Sequence, residues 1–577
     1  MKKIIFYYLK PFYLRMAGGF VIKFTGTLMD LFLPWALAYM IDTVIPANGR
    51  REILMWGVFM LACSVLAVTF NIAANRMASR VAGDAIYVIR NDLFEKVMYL
   101  PAQQADELSG PSLISRLTTD TYHVHQMLGR IQRLGVRAPI LLAGGMVMTL
   151  LLDPVLAGIL LGTLPLLTMV VVVVSKRSIP LYGSLQESLD QFVRVVREDI
   201  AGIRVIKALS REDYERKRFG EINREVTERE RKAAMTAAVT SPAMNALLNL
   251  GLVAVVLAGA VRVNAGLSQV GRILAFMTYF TIILNALLSI SRMFVVVSKA
   301  AASAERIAQV LETKDERAWK KAETGTFGKL GEDGEARIPH IVFDRVSFSY
   351  NKTMDNLTDI SFSLNHGETL GIIGSTGSGK STVVSLLMRF YDVDQGQIWL
   401  DGKDIRTMEP GSLRRRFGVV FQNDVLFAGD IYENVSLGRG IGQEQVKRAL
   451  VHARAEDFVE EKGGVLEKLE IRGANLSGGQ KQRILIARAL AGCPEILILD
   501  DSSSALDYRT DGELQRELRE HFAGTTCIVI AQRIRSVMGA DHILVLEEGR
   551  VAGYGTHSEL MEKCEVYREI ERSQMEG

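Results

Sequence analysis

Nine consecutive residues carry the most specific chemistry in the chain: Gly374, Ser375, Thr376, Gly377, Ser378, Gly379, Lys380, Ser381 and Thr382. They lie between a short apolar run, 369–373, and a helix-like run, 383–390, which is the strand, loop and helix order of a phosphate-binding loop. The glycines let the backbone curl so that successive N–H groups point at phosphate oxygens, and the helix start adds its positive end. Lys380 is suited to neutralise β- and γ-phosphates, and the Ser381 hydroxyl to ligate Mg²⁺. A second apolar run, 496–500, ends in Asp500, the form of a buried strand delivering a carboxylate to the same Mg²⁺. A third motif, Leu476, Ser477, Gly478, Gly479 and Gln480, precedes a helical stretch at 481–490 and makes another phosphate-binding helix end. One nucleotide hardly needs two such ends from one subunit. The second is therefore expected to face a nucleotide held by another chain.

The elements that position these groups follow from composition. A chain of 577 residues is too long for one core, so several domains are expected. The net charge of +3, with no basic tract, argues against nucleic acid as a partner. The four cysteines, Cys63, Cys493, Cys527 and Cys564, lie far apart, with neither metal-ligand spacing nor a disulfide framework.

From the N-terminus to about residue 310, long apolar runs alternate with charged ones. Residues 1–11 read as an interfacial helix rather than a secretory signal. Six membrane spans are expected at about 16–45, 53–75, 134–152, 154–175, 243–263 and 273–297. Asp153-Pro154 makes a tight turn between the third and fourth, and 264–266 one between the fifth and sixth. Lys2, Lys3, Lys10 and Arg15 place the N-terminus in the cytoplasm, and an even number of spans returns the chain there. Arg50 and Arg51 weigh weakly against that orientation.

The charged segments 75–133 and 176–242 read as helices continuing beyond the bilayer, since structureless loops of that length are rare. Their turns are expected at 108–112 and near 201–207. Beyond 341, strands alternate with helices, as in an α/β domain with a largely parallel sheet. The predicted architecture is an α-helical membrane domain with six transmembrane helices and long cytoplasmic extensions, fused to an α/β P-loop nucleotide-binding domain. The domain limits are 1–312, a linker at 313–338, and 339–577.

Taken together, these motifs resemble the ATP-binding cassette exporters, specifically half-transporters with six spans and one nucleotide-binding domain, over essentially the whole chain. The resemblance makes 476–480 the signature loop. It makes Tyr350 the aromatic that stacks on adenine, Gln422 the glutamine linking Mg²⁺ to the membrane domain, and 504–507, ending in Asp507, the loop joining two nucleotide sites. It puts coupling regions at 113–120 and 202–209. It implies ATP and Mg²⁺ as ligands, ATP hydrolysis coupled to transport, and a dimer that sandwiches two ATPs between each Walker loop and the opposite signature loop.

Two positions depart from the family pattern. Asp501 stands where a glutamate usually orients the attacking water, one methylene short, roughly 1.5 Å. Gln532 stands at the switch histidine and can hydrogen-bond a γ-phosphate but not carry the imidazole's proton. Residues 470–473 also depart from the usual wording before the signature. The pair 501 and 532 is similar to the degenerate-site subunit of heterodimeric bacterial multidrug exporters. The partner is then a second half-transporter with a normal glutamate and histidine. A homodimer with two slow sites is the alternative.

The spans are mostly aliphatic, with few ionisable residues, Lys23, Asp30 and Asp42 in or near the first and Arg76 at the end of the second among them. Lys23 and Arg76 are expected to snorkel. Such spans suit lipophilic or amphipathic cargo crossing a bacterial cytoplasmic membrane. A lipid or peptide exporter, or an ATP-gated channel or regulatory subunit, would carry the same motifs.

Overall fold

The computed structural model describes residues 2–47, 49–316, 338–502 and 505–575. Most of the predicted linker, and Ser504, lie outside them. The chain divides into two compact units. One comprises Met1–Glu95 with Pro111–Glu312, the other Lys96–Gly110 with Thr313–Gly577.

The first unit is all helical and contains six helices long and apolar enough to cross a membrane. Arg50–Met98 is one unbroken helix of 49 residues. At 1.5 Å per residue it runs about 70 Å, more than twice the roughly 30 Å of bilayer hydrocarbon. The apolar half therefore suffices to span, and the charged half must continue beyond it. Pro154–Ala201, with 48 residues, follows the same logic. Leu54, Leu61 and Val65 lie exposed along the apolar half, the surface expected of a helix that faces acyl chains.

Asp153 makes the expected tight turn. Its Oδ1 accepts from the N–H groups of Val155 and Leu156 at 3.0 and 3.3 Å, capping the Pro154–Ala201 helix, while Oδ2 accepts from Arg262 Nε at 3.0 Å. The carboxylate is buried, so its removal leaves both a cap and a guanidinium unpaired. Asp153→Ala should cost about 2–3 kcal/mol. A thermal melt of the purified protein should show a clear drop in Tm, and an unchanged Tm would show that the cap contributes nothing.

The intramembrane charges have specific partners. Asp42 accepts from the backbone N–H groups of Gly271 and Arg272 at 2.6 and 3.0 Å, so it caps the Val270–Glu312 helix. Asp30 accepts from Arg137 at 2.9 Å and from Asn71 at 3.3 Å. Lys23 does not snorkel. It is 3 % exposed, and its Nζ donates to Asn75 Oδ1 at 3.0 Å. Arg76 is exposed, as expected. Tyr279, wholly buried against Leu31, Ala38 and Ala275, donates its hydroxyl to the Leu31 carbonyl at 2.5 Å.

The first long excursion breaks twice, ahead of Pro101 and again at Ser109 within the expected 108–112 break. The helix stops ahead of Pro101, whose extended backbone (φ −54°, ψ 144°) starts a short helix, Ala102–Leu108. Proline lacks the N–H and disfavours a helical predecessor, so it ends the element before the 108–112 break is reached. Residues 96–110 belong to the second unit. There Tyr391 donates its hydroxyl to Asp106, Lys96 pairs with Asp315 at 3.4 Å, and the Glu316 N–H bonds the Tyr99 carbonyl. The 113–120 segment instead belongs to the first unit. Arg116 donates to the Arg306 carbonyl and to Gln309 Oε1 at 3.1 and 3.2 Å, and Asp120 pairs with Arg306. The second excursion turns where expected, through the short helix Ile203–Ala208.

The second unit is built on strands β1 (Ile341–Phe348), β2 (Leu357–Leu364), β3 (Thr369–Gly374), β4 (Gln395–Leu400), β5 (Lys403–Asp404) and β6 (Phe417–Val420). It continues with β7 (Gly429–Asp430), β8 (Lys468–Leu469), β9 (Ile496–Asp500), β10 (Thr526–Ile530), β11 (His542–Glu547) and β12 (Arg550–Gly555). One sheet has the order β2-β1-β4-β5 and is antiparallel; the six-stranded sheet has the order β12-β11-β3-β10-β9-β6. In the latter only β12 runs antiparallel. Strand β9, between β10 and the edge strand β6, is buried along its whole length, as a continuous aliphatic run covered on both faces must be. Because β3, β6, β9 and β10 are parallel, their carboxyl ends fall on one edge, with Ile530 opposite both Ile372 and Asp500. That edge gathers the phosphate-loop residues, Gln422, Asp500, Asp501 and Gln532.

Candidate functional site

A cavity of about 280 Å³ opens on that edge, lined by parts of the 374–382 loop together with Gln422, Asp500, Asp501 and Gln532. Gly377 and Gly379 have φ of +84° and +96°, where an L side chain is strained. At Gly379 a Cβ would also stand 3.0 Å from the Asn356 carbonyl oxygen. Both positions are therefore suited to glycine alone, and both glycines line the cavity. Ser378, 1 % exposed, does not line the cavity, and its buried Oγ has no hydrogen-bond partner among the described residues.

Lys380 begins the Lys380–Leu387 helix and folds back to donate to the carbonyls of Gly374 and Ser375 at 2.9 and 2.7 Å. Burial lowers the pKa of its ammonium, opposed by the carboxylates of Asp500 and Asp501. Asp500, 5 % exposed, is pushed up chiefly by burial and also by Asp501, against the hydrogen bond from Ser381 and the charge of Lys380. Ser381, Asp500 and the exposed Gln422 all line the cavity with oxygen donors, the set a hard cation such as Mg²⁺ takes. The residues thus fit both a nucleotide triphosphate and its metal.

Tyr350 stands beside the loop, its hydroxyl donating to Thr382 Oγ1 at 3.4 Å and its ring edge-on to Tyr391. It is 42 % exposed, leaving ring surface open to solvent. Asn356 also lines the cavity. The sequence gives no signal for it, since only the β1–β2 turn carries it there.

Asp501 and Gln532 meet directly, Gln532 Nε2 donating to Asp501 Oδ2 at 3.0 Å. Both are fixed from behind. The Asp501 N–H bonds the Ile530 carbonyl at 2.9 Å, with Asp501 itself at φ +51°. The Gln532 carbonyl accepts from Gln574 Nε2 at 2.7 Å.

The 476–480 residues do not line this cavity, nor does Asp507. Ser477 is the N-cap of the Gly478–Leu490 helix. Its Oγ accepts from the Gln480 N–H at 3.3 Å, and Gln480 Oε1 accepts from the Ser477 N–H at 3.0 Å. Gln480 is thus engaged in its own helix start, and Leu476 is an apolar anchor, 8 % exposed. Gly478 is exposed and Gly479 half-buried. Asp507 caps the Tyr508–His521 helix, accepting from Thr510 N and Oγ1 at 2.9 Å each.

A membrane-spanning helical unit joined to a P-loop α/β unit with a separate capped glycine loop defines a transporter driven by nucleotide. The comparisons with known proteins give its family. Residues 16–287 match the family described as ABC transporter transmembrane region, and 357–504 the family described as ABC transporter. The uncharacterized ABC transporter ATP-binding protein YfiB of Bacillus subtilis is 35% identical over 575 residues, 98% of this chain and 97% of the relative. A Mycobacterium bovis protein named as a fatty acid ABC transporter ATP-binding/permease protein is 31% identical over 519 residues, covering 89% and 80%. A solved bacterial Atm1-family ABC exporter with ATP bound shares the fold, with a TM-score of 0.81 at 24% identity and 97% and 98% of the two chains covered. The chain belongs to the ABC transporter family, as a multi-pass half-transporter whose own ATPase domain binds and hydrolyses ATP.

Proposed function

We propose that this chain exports lipophilic or amphipathic compounds across a bacterial cytoplasmic membrane as one subunit of a heterodimer. Both termini and the ATPase unit then lie in the cytoplasm. Its own Walker face is the slow one, and its signature loop completes the partner's working site. The observation that carries the division is the hydrogen bond between Gln532 and Asp501 at 3.0 Å. A carboxylate already short by a methylene is held by a neutral amide that accepts no proton from water. The fatty acid named for the Mycobacterium bovis relative favours a lipid-like cargo.

In this reading the loop N–H groups and Lys380 bind and orient the phosphates, and Tyr350 supports the base. Ser381, Asp500 and Gln422 would hold Mg²⁺, which when bound neutralises charge on the phosphate oxygens. Ser477 and the N–H groups of Gly478 and Gly479 stabilise charge at the partner's γ-phosphate.

The purified chain should bind ATP yet turn over slowly. Restoring both side chains, Asp501→Glu with Gln532→His, should raise its own steady-state ATPase at least about tenfold. No gain in the double variant would sink the degenerate-face reading. Export itself is read from ATP-dependent accumulation of lipophilic dyes in inside-out vesicles holding the assembled transporter. Vesicles that gain no dye with ATP would count against it.

A further inference from the structure

One cavity of the membrane unit is lined by four cations. Lys23, Asn75, Arg130, Arg133, Leu134 and Arg137 surround about 390 Å³. Arg130, Arg133 and Arg137 flank and occupy the π-helical turn Ile131–Gly135 on the approach to the third span, and all three line this cavity. Among the described residues one carboxylate, Asp30, is paired with the group, through Arg137 at 2.9 Å.

The rest of the charge is unmatched. Lys23 is buried and donates to a neutral amide. Arg133 spends its Nε on the carbonyl of Gly129, one turn back on its own helix, at 3.0 Å. Arg130 has no hydrogen-bond or ion-pair partner among the described residues, and the buried Nε of Arg137 has none either. Like charges gathered around one cavity repel, and ionisable groups within spans are costly unless they have a function. An entering oxyanion offsets that cost, and guanidinium forks match carboxylate or phosphate geometry.

The same three segments also line an apolar cavity of about 290 Å³, with Phe20, Ala74, Ile131 and Val136 among its walls. Ala74 adjoins Asn75 in sequence, Ile131 adjoins Arg130, and Phe20 lies one turn from Lys23. A charged compartment and an aliphatic one are built from neighbouring residues.

We propose that these two cavities form the cargo site for an anionic amphiphile, with a compact oxyanion head on the arginines and a single aliphatic tail in the apolar compartment. The inference rests on the proposed export of amphipathic compounds and narrows it by charge.

The test uses the full-length chain in nanodiscs of zwitterionic phospholipid, with a fluorescent long-chain carboxylic acid such as cis-parinaric acid, its methyl ester, and a long-chain amine as competitor. The acid should bind at least about tenfold more tightly than the ester, the scale of one charge-assisted pairing. The amine should compete poorly. Arg130→Gln and Arg133→Gln should each weaken the acid about tenfold and leave the ester unchanged, and Arg133→Lys should recover part of the loss. ATP binding by every variant serves as the folding check, and the exposed Arg130 gives a readable variant even if Arg133→Gln fails it. Equal binding of acid, ester and amine overturns the charge assignment while leaving amphiphile export standing. Binding of none of them overturns the cargo reading itself. The acid preference should persist when anionic phospholipid is mixed into the bilayer. Its disappearance there would assign the arginines to bilayer headgroups and overturn the cargo site.

Discussion

Ser477→Arg should reduce the steady-state ATPase of the assembled transporter by about a hundredfold or more, while Asp501→Ala in the same complex should cost little. Removing one donor aimed at developing charge typically costs two to three orders of magnitude, about 10²–10³ in rate. The arginine also brings a cation to a helix end whose exposed N–H groups already repel one. Unfolding is not the cause expected. A lost N-cap costs about 1 kcal/mol, and the helix stays anchored by Ile484, Leu485, Ile486 and Leu490, all buried. Asp501 is held by Gln532, so truncating it should disturb mainly the slow face. The reverse pattern, tolerance of Ser477→Arg with loss of turnover in Asp501→Ala, would mean that the two faces have been assigned backwards.

Lys380→Ala should weaken ATP binding to the isolated chain by about ten- to a hundredfold, the value of one or two charge-assisted hydrogen bonds. The ammonium does two things. It supplies positive charge to the phosphates, and through the Gly374 and Ser375 carbonyls it holds the loop in its curled form. Part of the complex's hydrolysis should nevertheless survive, because the working site lies on the other Walker face. Nucleotide affinity of the chain and ATPase of the complex are the two readouts. Complete loss of both would argue for two equivalent sites.

The nucleotide site was legible because its groups are encoded locally. The glycine spacing of 374–382, the aliphatic run ending in Asp500 and the Ser477–Gln480 capping pair each state their conformation within a few residues. The spans were legible because the bilayer demands length and apolarity. Contacts between distant segments were not. Asp42 reads as a functional charge until the chain brings Gly271 to it, and Lys23 as a snorkelling one until Asn75 is beside it. The 108–112 glycine and proline cluster does break the chain, at Ser109, but Pro101 ends the long helix first. The arginines at 130, 133 and 137 straddle a span boundary, so a reading by hydropathy counts them as flank. Their common cavity emerges only with the fold.

The Asp42 clamp bears on how the membrane unit moves. The carboxylate holds the first turn of the last span against the end of the first, and a Cβ at Gly271 would stand 2.7 Å from the Ala38 carbonyl oxygen. Together with the Tyr279 to Leu31 bond further along, it fastens the two helices at two levels. A pair fastened at two levels resists shear and separation by a few hydrogen bonds, each worth about 1–3 kcal/mol. In this conformation the first and last spans are therefore coupled as one lever, and a seam for cargo opens at lower cost along a helix pair without such clamps.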